Sequence, residues 1–315
     1  MNFSLSDEQV ELRSVVRRFL SERATESETR RLMASDTGYD PAVWAQLAGQ
    51  LGLVGLAVPE EYGGAGYGWV ELGVVFEEMG RVLLCAPYFA TVALAIPALL
   101  ASGDEAACAE LLPDIAAGER IATLALTEPT GRWDADGVTL RAEPGDGGWR
   151  LDGLKTYVPD GAVADLVLVV ARSDAGISLF AVEGTASGLT RRALPTLDQT
   201  RRQAELRFDG VQARLVGPEG TGWAALNSCC AGGHRQSGFP VNGQYFVAQR
   251  FAIDWMKLDE DRHMYKGSET VNRDYPTYGQ NAIAVADGKV ASVLNGLPER
   301  VSGALPSDTT VGRAR

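Results

Sequence analysis

Apolar residues near the start of the chain recur every three or four positions: Leu12, Val15, Val16, Phe19 and Leu20. That spacing predicts an amphipathic helix with one buried stripe. Ser6 and Gln9 stand at its start with the spacing of a capping box, in which each side chain serves the other residue's backbone N–H. Asp40-Pro41 predicts a second helix start, with Pro at the first helical position. Trp44, Leu47, Ala48 and Leu51 form the inner face of that helix, and Gly52 ends it. Further helices are predicted over about 69–84, 87–100 and 104–117, with Gly103 between the last two. Val74, Val75, Met79 and Leu83, and then Leu94, Ala98 and Leu99, supply their core stripes. Residues 1–118 thus read as an all-helical domain. Inside it, Pro59-Glu60-Glu61-Tyr62-Gly63-Gly64-Ala65-Gly66 holds too many glycines for a helix or strand and reads as a loop with close backbone approaches.

The pattern changes near residue 119. Thr123, Ala125 and Thr127 alternate with Leu124, Leu126 and Glu128, a period of two. Trp149 to Gly153 reads as a strand running into a turn, and Asp146-Gly147-Gly148 as a hairpin signal. Residues 166–170 form a continuous apolar run, the mark of a strand buried on both faces. Residues 182–184, 188–194 and 204–208 supply further short strands. Strands at this spacing predict a small β-barrel or sandwich over 119–217. Helices first and strands second give an α+β class of separate domains.

Composition narrows the function classes. The formal net charge is −12, from 41 acidic and 29 basic residues, and a surface of that sign repels phosphate backbones. Nucleic acid is therefore not an expected partner. The N-terminus has no basic segment followed by an apolar core, and the apolar stretch 88–100 is broken by Pro97, so neither a secretory signal nor a membrane span is expected. The four cysteines, at 85, 108, 229 and 230, show no CxxC spacing and read as reduced thiols of a cytoplasmic protein.

The run Leu124-Ala125-Leu126-Thr127-Glu128-Pro129, with Gly148-Trp149-Arg150-Leu151-Asp152-Gly153-Leu154-Lys155-Thr156-Tyr157 some twenty residues on, resembles the middle β-domain of the acyl-CoA dehydrogenases. The glycine-rich 59–66 loop resembles a recurrent pattern of that family's N-terminal domain. The likeness continues through Asp198-Gln199-Thr200-Arg201 and Phe208-Asp209-Gly210-Val211 to about Asn227. The resemblance implies a flavoprotein that oxidises the Cα–Cβ bond of an acyl-CoA thioester with FAD and passes the electrons to a transfer partner. It also implies oligomers. A flavin ring needs an apolar wall and a few hydrogen-bonding groups along its polar edge. The resemblance puts Leu126 and Thr127 at the pyrimidine edge of the flavin, Tyr157 beside the ring where the family has Trp or Phe, and Val158 next to it. The plainer alternative is that Thr127 and Tyr157 only pack or cap strands; the combined context favours cofactor contact.

Two positions depart from the family pattern. Trp133 stands where the family has a Ser that helps hold phosphates. Pro159 replaces a Thr in the segment after the aromatic residue, removing a hydroxyl and a backbone donor. These departures suggest a divergent subclass, acting on bulky acyl-CoAs or serving as a non-catalytic FAD- and acyl-CoA-binding partner subunit. The family's catalytic base is a Glu in a C-terminal helical bundle, and no run after Asn227 predicts that bundle. No catalytic residue is assigned, and impaired turnover is expected.

Residues 232–315 read as an irregular, β-rich tail beyond a junction at 218–231. The tail resembles the opening of a lysostaphin-type zinc metallopeptidase domain: Asp254 matches the metal-binding Asp, whereas Arg250 occupies the His position. With only His234 and His263 in the chain, the three or four ligands of a zinc site are not assembled. No metal is expected. Two partial domains in one chain read as a gene fusion, a frameshift or an assembly error, the tail being a peptidase remnant.

Overall fold

The computed structural model describes residues 5–145 and 147–222, and the main chain of 238–241 and 244–247. Among these residues six α-helices come first: α1 Asp7–Arg23, α2 Glu26–Met33, α3 Pro41–Gly49, α4 Trp69–Arg81, α5 Ile96–Ala101 and α6 Glu105–Ala116. Ser6 and Gln9 form the expected capping box at α1, and Asp40 caps α3 through the amides of Ala42 and Val43. The helix expected over 87–100 is not uniform. Residues Phe89–Ala95 are π-helical and pass into α5, which carries Pro97 in its first turn. Pro97 has no N–H to give the preceding turn, and a wider turn accommodates that loss. Helix α2 lies outside the helices that the apolar pattern predicts. Thr25 caps it by accepting from the Glu28 amide.

Seven strands follow in the described part of the β domain: β1 Ala122–Ala125, β2 Arg141–Gly145, β3 Gly148–Pro159, β4 Leu166–Ser173, β5 Gly176–Glu183, β6 Leu189–Leu194 and β7 Gln203–Val216. Their pairing closes on itself. The ring β4-β2-β3-β7-β5 returns to β4 through an antiparallel β5–β4 pair, with β1 parallel to β4 and β6 on β7. Of the barrel and the sandwich, the chain adopts a barrel, and closure pairs the ring strands on both sides, while β1 and β6 each keep a single partner. Strand β4 is buried from Leu166 through Ala171, as the apolar run predicted. Strand β1 differs from the period-two expectation: all four of its residues are buried. Its other face meets the π-helical segment, where the buried Thr91 hydroxyl donates to the Ala122 carbonyl at 3.0 Å and accepts from the Ala122 amide at 3.3 Å.

The turn expected at Gly153 is instead an irregularity inside a continuous strand. Leu151 pairs with Val211 but Gly153 pairs with Phe208, so β7 carries an extra residue there. Gly153 has φ +143°, and a Cβ would lie 2.9 Å from Leu140, which is why the strand bends at a glycine. A separate two-stranded hairpin, β8 Gly238–Val241 with β9 Gln244–Val247, is described by itself. The tail positions singled out above, His234, Arg250, Asp254 and His263, lie outside the described residues, as do Cys229 and Cys230. Among the described residues, no helix is long and apolar enough to cross a membrane.

Arginines tie the helices to the barrel. Arg202 donates to the carbonyls of Met33 at 2.7 Å and Ser35 at 2.6 Å, and Arg201 to that of Leu84 at 2.7 Å. Arg202→Ala leaves carbonyls at the C-terminal end of α2 without their cationic donor, and each such bond contributes about 1.5–3 kcal/mol. The expected result is a loss of about 2–3 kcal/mol, read as a lower urea midpoint with unchanged slope. An unchanged midpoint would show that this staple adds nothing.

Candidate functional site

The strand-end segment 126–128 and the outer part of β3 meet at one end of the barrel. The Thr156 amide donates to the Thr127 carbonyl at 2.8 Å, bringing Leu126 and Thr127 beside Tyr157 and Val158. The two segments are distant in sequence, and the sheet makes the contact.

Between these segments lies a buried ion pair. The Lys155 ammonium donates to Glu128 Oε1 at 2.7 Å and to the Leu126 carbonyl at 3.0 Å. Both side chains are enclosed, 0% exposed for Lys155 and 4% for Glu128. Glu128 also accepts from the amides of Thr139 and Leu140, each at 2.9 Å, and from the Thr139 hydroxyl. Burial pulls the Lys155 ammonium down to about 8, against the opposing pull of Glu128. Burial would raise the Glu128 carboxyl, but the hydrogen bonds from Lys155, Thr139 and Leu140 outweigh it and hold the carboxyl below its ordinary range. The pair is therefore charged at neutral pH. Sequence reasoning did not single out either residue, although both lie inside the two motifs it quoted.

Tyr157 is the unusual member. Lys155 pairs with Leu206 but Val158 pairs with Ala204, so β3 has one residue too many at Thr156–Tyr157, a β-bulge. Tyr157 sits there at φ +55°, a conformation that costs a non-glycine residue energy, and it is 54% exposed. A bulge that turns an aromatic ring out of a packed sheet is the sort of local strain that marks ligand sites. Val158, in contrast, is 1% exposed and packs into the core. Trp133 is 60% exposed.

A cleft of about 280 Å³ opens beside this strand end, lined by Phe89, Pro159, Asp160, Arg201, Arg202 and Gln203. The Thr123 hydroxyl donates to the Pro159 carbonyl at 2.6 Å, and the Asp160 amide to the Arg202 carbonyl at 2.9 Å, which pins the turn. Asp160 is at φ +51°. Burial pushes its carboxyl up to about 7, with Arg201 and Arg202 pulling the other way.

These residues fit a flat ring with one polar edge. The exposed Tyr157 ring is a wall. The Thr127 hydroxyl and amide make no hydrogen bond among the described residues, and the β1–β4 ladder ends at Ala125 opposite Val169, before Thr127 is reached. An aromatic face with an adjacent unpaired donor and hydroxyl is what a flavin site requires.

Comparison with known proteins bears on the family of the chain. Residues 6–119 match the family described as acyl-CoA dehydrogenase, N-terminal domain, and residues 123–211 match its middle domain. Mitochondrial isovaleryl-CoA dehydrogenase of Pongo abelii is 32% identical over 238 residues, 71% of this chain and 56% of that protein. A solved steroid ACAD variant is 34% identical with a TM-score of 0.62, covering 72% of this chain and 60% of its own. An acyl-CoA dehydrogenase of Bacillus anthracis, solved in complex with FAD, is 26% identical with a TM-score of 0.65, over 70% of this chain and 39% of its own. The chain spans just over half the length of this curated relative, the isovaleryl-CoA dehydrogenase.

Proposed function

The chain belongs to the acyl-CoA dehydrogenase family through its N-terminal and middle domains, and from that footing we propose that it holds FAD at the Thr127–Tyr157 end of the barrel and takes part in α,β-dehydrogenation of an acyl-CoA thioester. The observation that carries this reading is the pairing of an exposed, bulge-borne Tyr157 ring with the unpaired Thr127 amide and hydroxyl. Bound FAD would supply the two-electron acceptor for the Cβ hydride, and an electron-transfer partner would reoxidise it. Leu126 and Thr127 would line the pyrimidine edge, Tyr157 would pack beside the ring, and Val158, next to it in sequence, would back it from the core. The Phe89–Pro159 cleft beside this end offers an apolar rim to an acyl group. None of the described residues is assigned as the base that removes the α-proton. Turnover by this chain therefore calls for a base supplied from outside them.

A second reading is a binding subunit without its own turnover. Pro159, which stands beside the site in place of a hydroxyl-bearing residue, and the exposed Trp133, which stands where the resembled family has a phosphate-holding Ser, favour it.

The test is the visible flavin absorbance of the purified full chain after loading with FAD and desalting. A retained band supports the site, and a colourless protein that ignores FAD overturns it. In a chain that binds, Thr127→Val should lose about 1–1.5 kcal/mol of binding through its hydroxyl, which is roughly fivefold to tenfold in Kd. Dye reduction with added acyl-CoA then separates the two readings.

A further inference from the structure

We propose that Lys155 is a positioning residue for the flavin: by gripping the Leu126 carbonyl it fixes the Leu126–Thr127 peptide so that the Thr127 N–H is presented to the polar edge of the ring. This rests on the flavin reading above and adds to it a device that reading does not need. The Leu126–Thr127 peptide is trans, so its carbonyl and its N–H point in opposite directions. The carbonyl is held from inside by an ammonium at 3.0 Å. The N–H on the other side is left without a partner among the described residues, because the ladder with β4 has already ended. A cation on the carbonyl oxygen also polarises the peptide and makes that N–H a stronger donor.

Lys155 itself cannot swing away. Glu128 holds its ammonium at 2.7 Å, and Glu128 is in turn fixed by the amides of Thr139 and Leu140. The chain of contacts thus runs from the Thr139–Leu140 backbone through Glu128 and Lys155 to one peptide at the end of β1. A buried charge pair is an expensive way to join two strands, since apolar residues of similar volume serve as well for stability alone. Orienting and polarising one exposed peptide is a task apolar residues cannot perform. A donor of this kind favours the more electron-rich, reduced ring over the oxidised one.

The test uses the full chain carrying Glu128→Gln together with Lys155→Met. This pair of substitutions removes both charges and keeps the volume, and the new carboxamide oxygen can still accept from the Thr139 and Leu140 amides. The expected result is a folded protein whose FAD Kd rises about tenfold and whose bound flavin has a lower midpoint potential than in the unaltered chain. A folded double variant with Kd within about twofold and an unchanged potential overturns the proposal. A purely structural role for the pair would change stability without moving the potential. The second measurement needs no flavin: in the unloaded protein, the Thr127 amide proton resonance should move upfield in the double variant as its peptide loses polarisation. An unmoved Thr127 amide overturns the clamp as well. If the unaltered chain takes up no FAD, the flavin reading fails by itself, and the amide measurement still decides whether Lys155 sets this peptide.

Discussion

Lys155→Met alone should destabilise the chain by about 3–5 kcal/mol, because it leaves the Glu128 carboxylate buried without its cation. Native domains are stable by only about 5–15 kcal/mol in all, so the loss is a large share of the total. The side chains of the pair are almost wholly enclosed, and no water-facing rotamer is open to Glu128 while it accepts from Thr139 and Leu140. Glu128 then has two recourses: to stay charged at a high desolvation cost, or to take up a proton and lose the acceptor strength that holds Thr139 and Leu140. Adding Glu128→Gln to Lys155→Met removes the stranded charge. The double variant should recover most of the loss and lie within about 1–2 kcal/mol of the unaltered chain. Urea unfolding of the unaltered chain, both single variants and the double variant closes the cycle. Additive losses would show that the two groups do not interact, against the 2.7 Å contact.

The same pair shows where sequence reading stops. Helix starts were legible because their signals are local: Ser6 with Gln9, and Asp40 with Pro41, act within one turn. The same chemistry is present at Thr25 and Glu28 for α2, whose short, charge-rich run Glu26–Met33 has little apolar periodicity to draw notice. The barrel was legible as a class. Its closure was not, because it rests on β4 serving β1, β2 and β5 at once. The alternation at residues 123–128 predicted a one-sided strand. Its wet face is covered by a helical segment earlier in the chain, through Thr91, so the tertiary contact overrode the local pattern. At the site, the two quoted motifs contained Leu126, Thr127, Glu128, Lys155 and Tyr157, whereas Thr139, Leu140 and the cleft residues lay outside them. Leu126 and Tyr157 were legible as an apolar and an aromatic position. The bulge that turns Tyr157 outward, and the link from Lys155 to Glu128, depend on register, which no single segment encodes.

Asp160→Asn should stabilise the chain above neutrality and remove a pH dependence that the unaltered chain carries. The Asp160 carboxyl has an ordinary value of 3.8 and is pushed up to about 7 in the folded chain, chiefly by burial. Its proton is therefore bound more tightly in the folded state than in the unfolded one. Between about pH 4 and pH 7 the folded state carries more protons, so stability falls as pH rises through that window. Below the window both states are protonated and the penalty is absent; above it the penalty is complete. A shift of about three units corresponds to roughly 4 kcal/mol at most, and the partial exposure of Asp160 at the cleft mouth reduces the expected effect to about 2 kcal/mol. Asn keeps the shape, carries no charge, and tolerates the φ of +51° as well as Asp does. Thermal unfolding at pH 4 and at pH 8 should therefore show the Asn variant nearly level with the unaltered chain at the lower pH and more stable at the higher one. Arg201 and Arg202 oppose the burial effect. Should they outweigh it, the carboxylate would be the favoured form, and the Asn variant would be the less stable of the two at pH 8. That reversal would show that the cleft is built to hold a charged Asp160 and that its arginines face the carboxylate more closely than their backbone contacts imply.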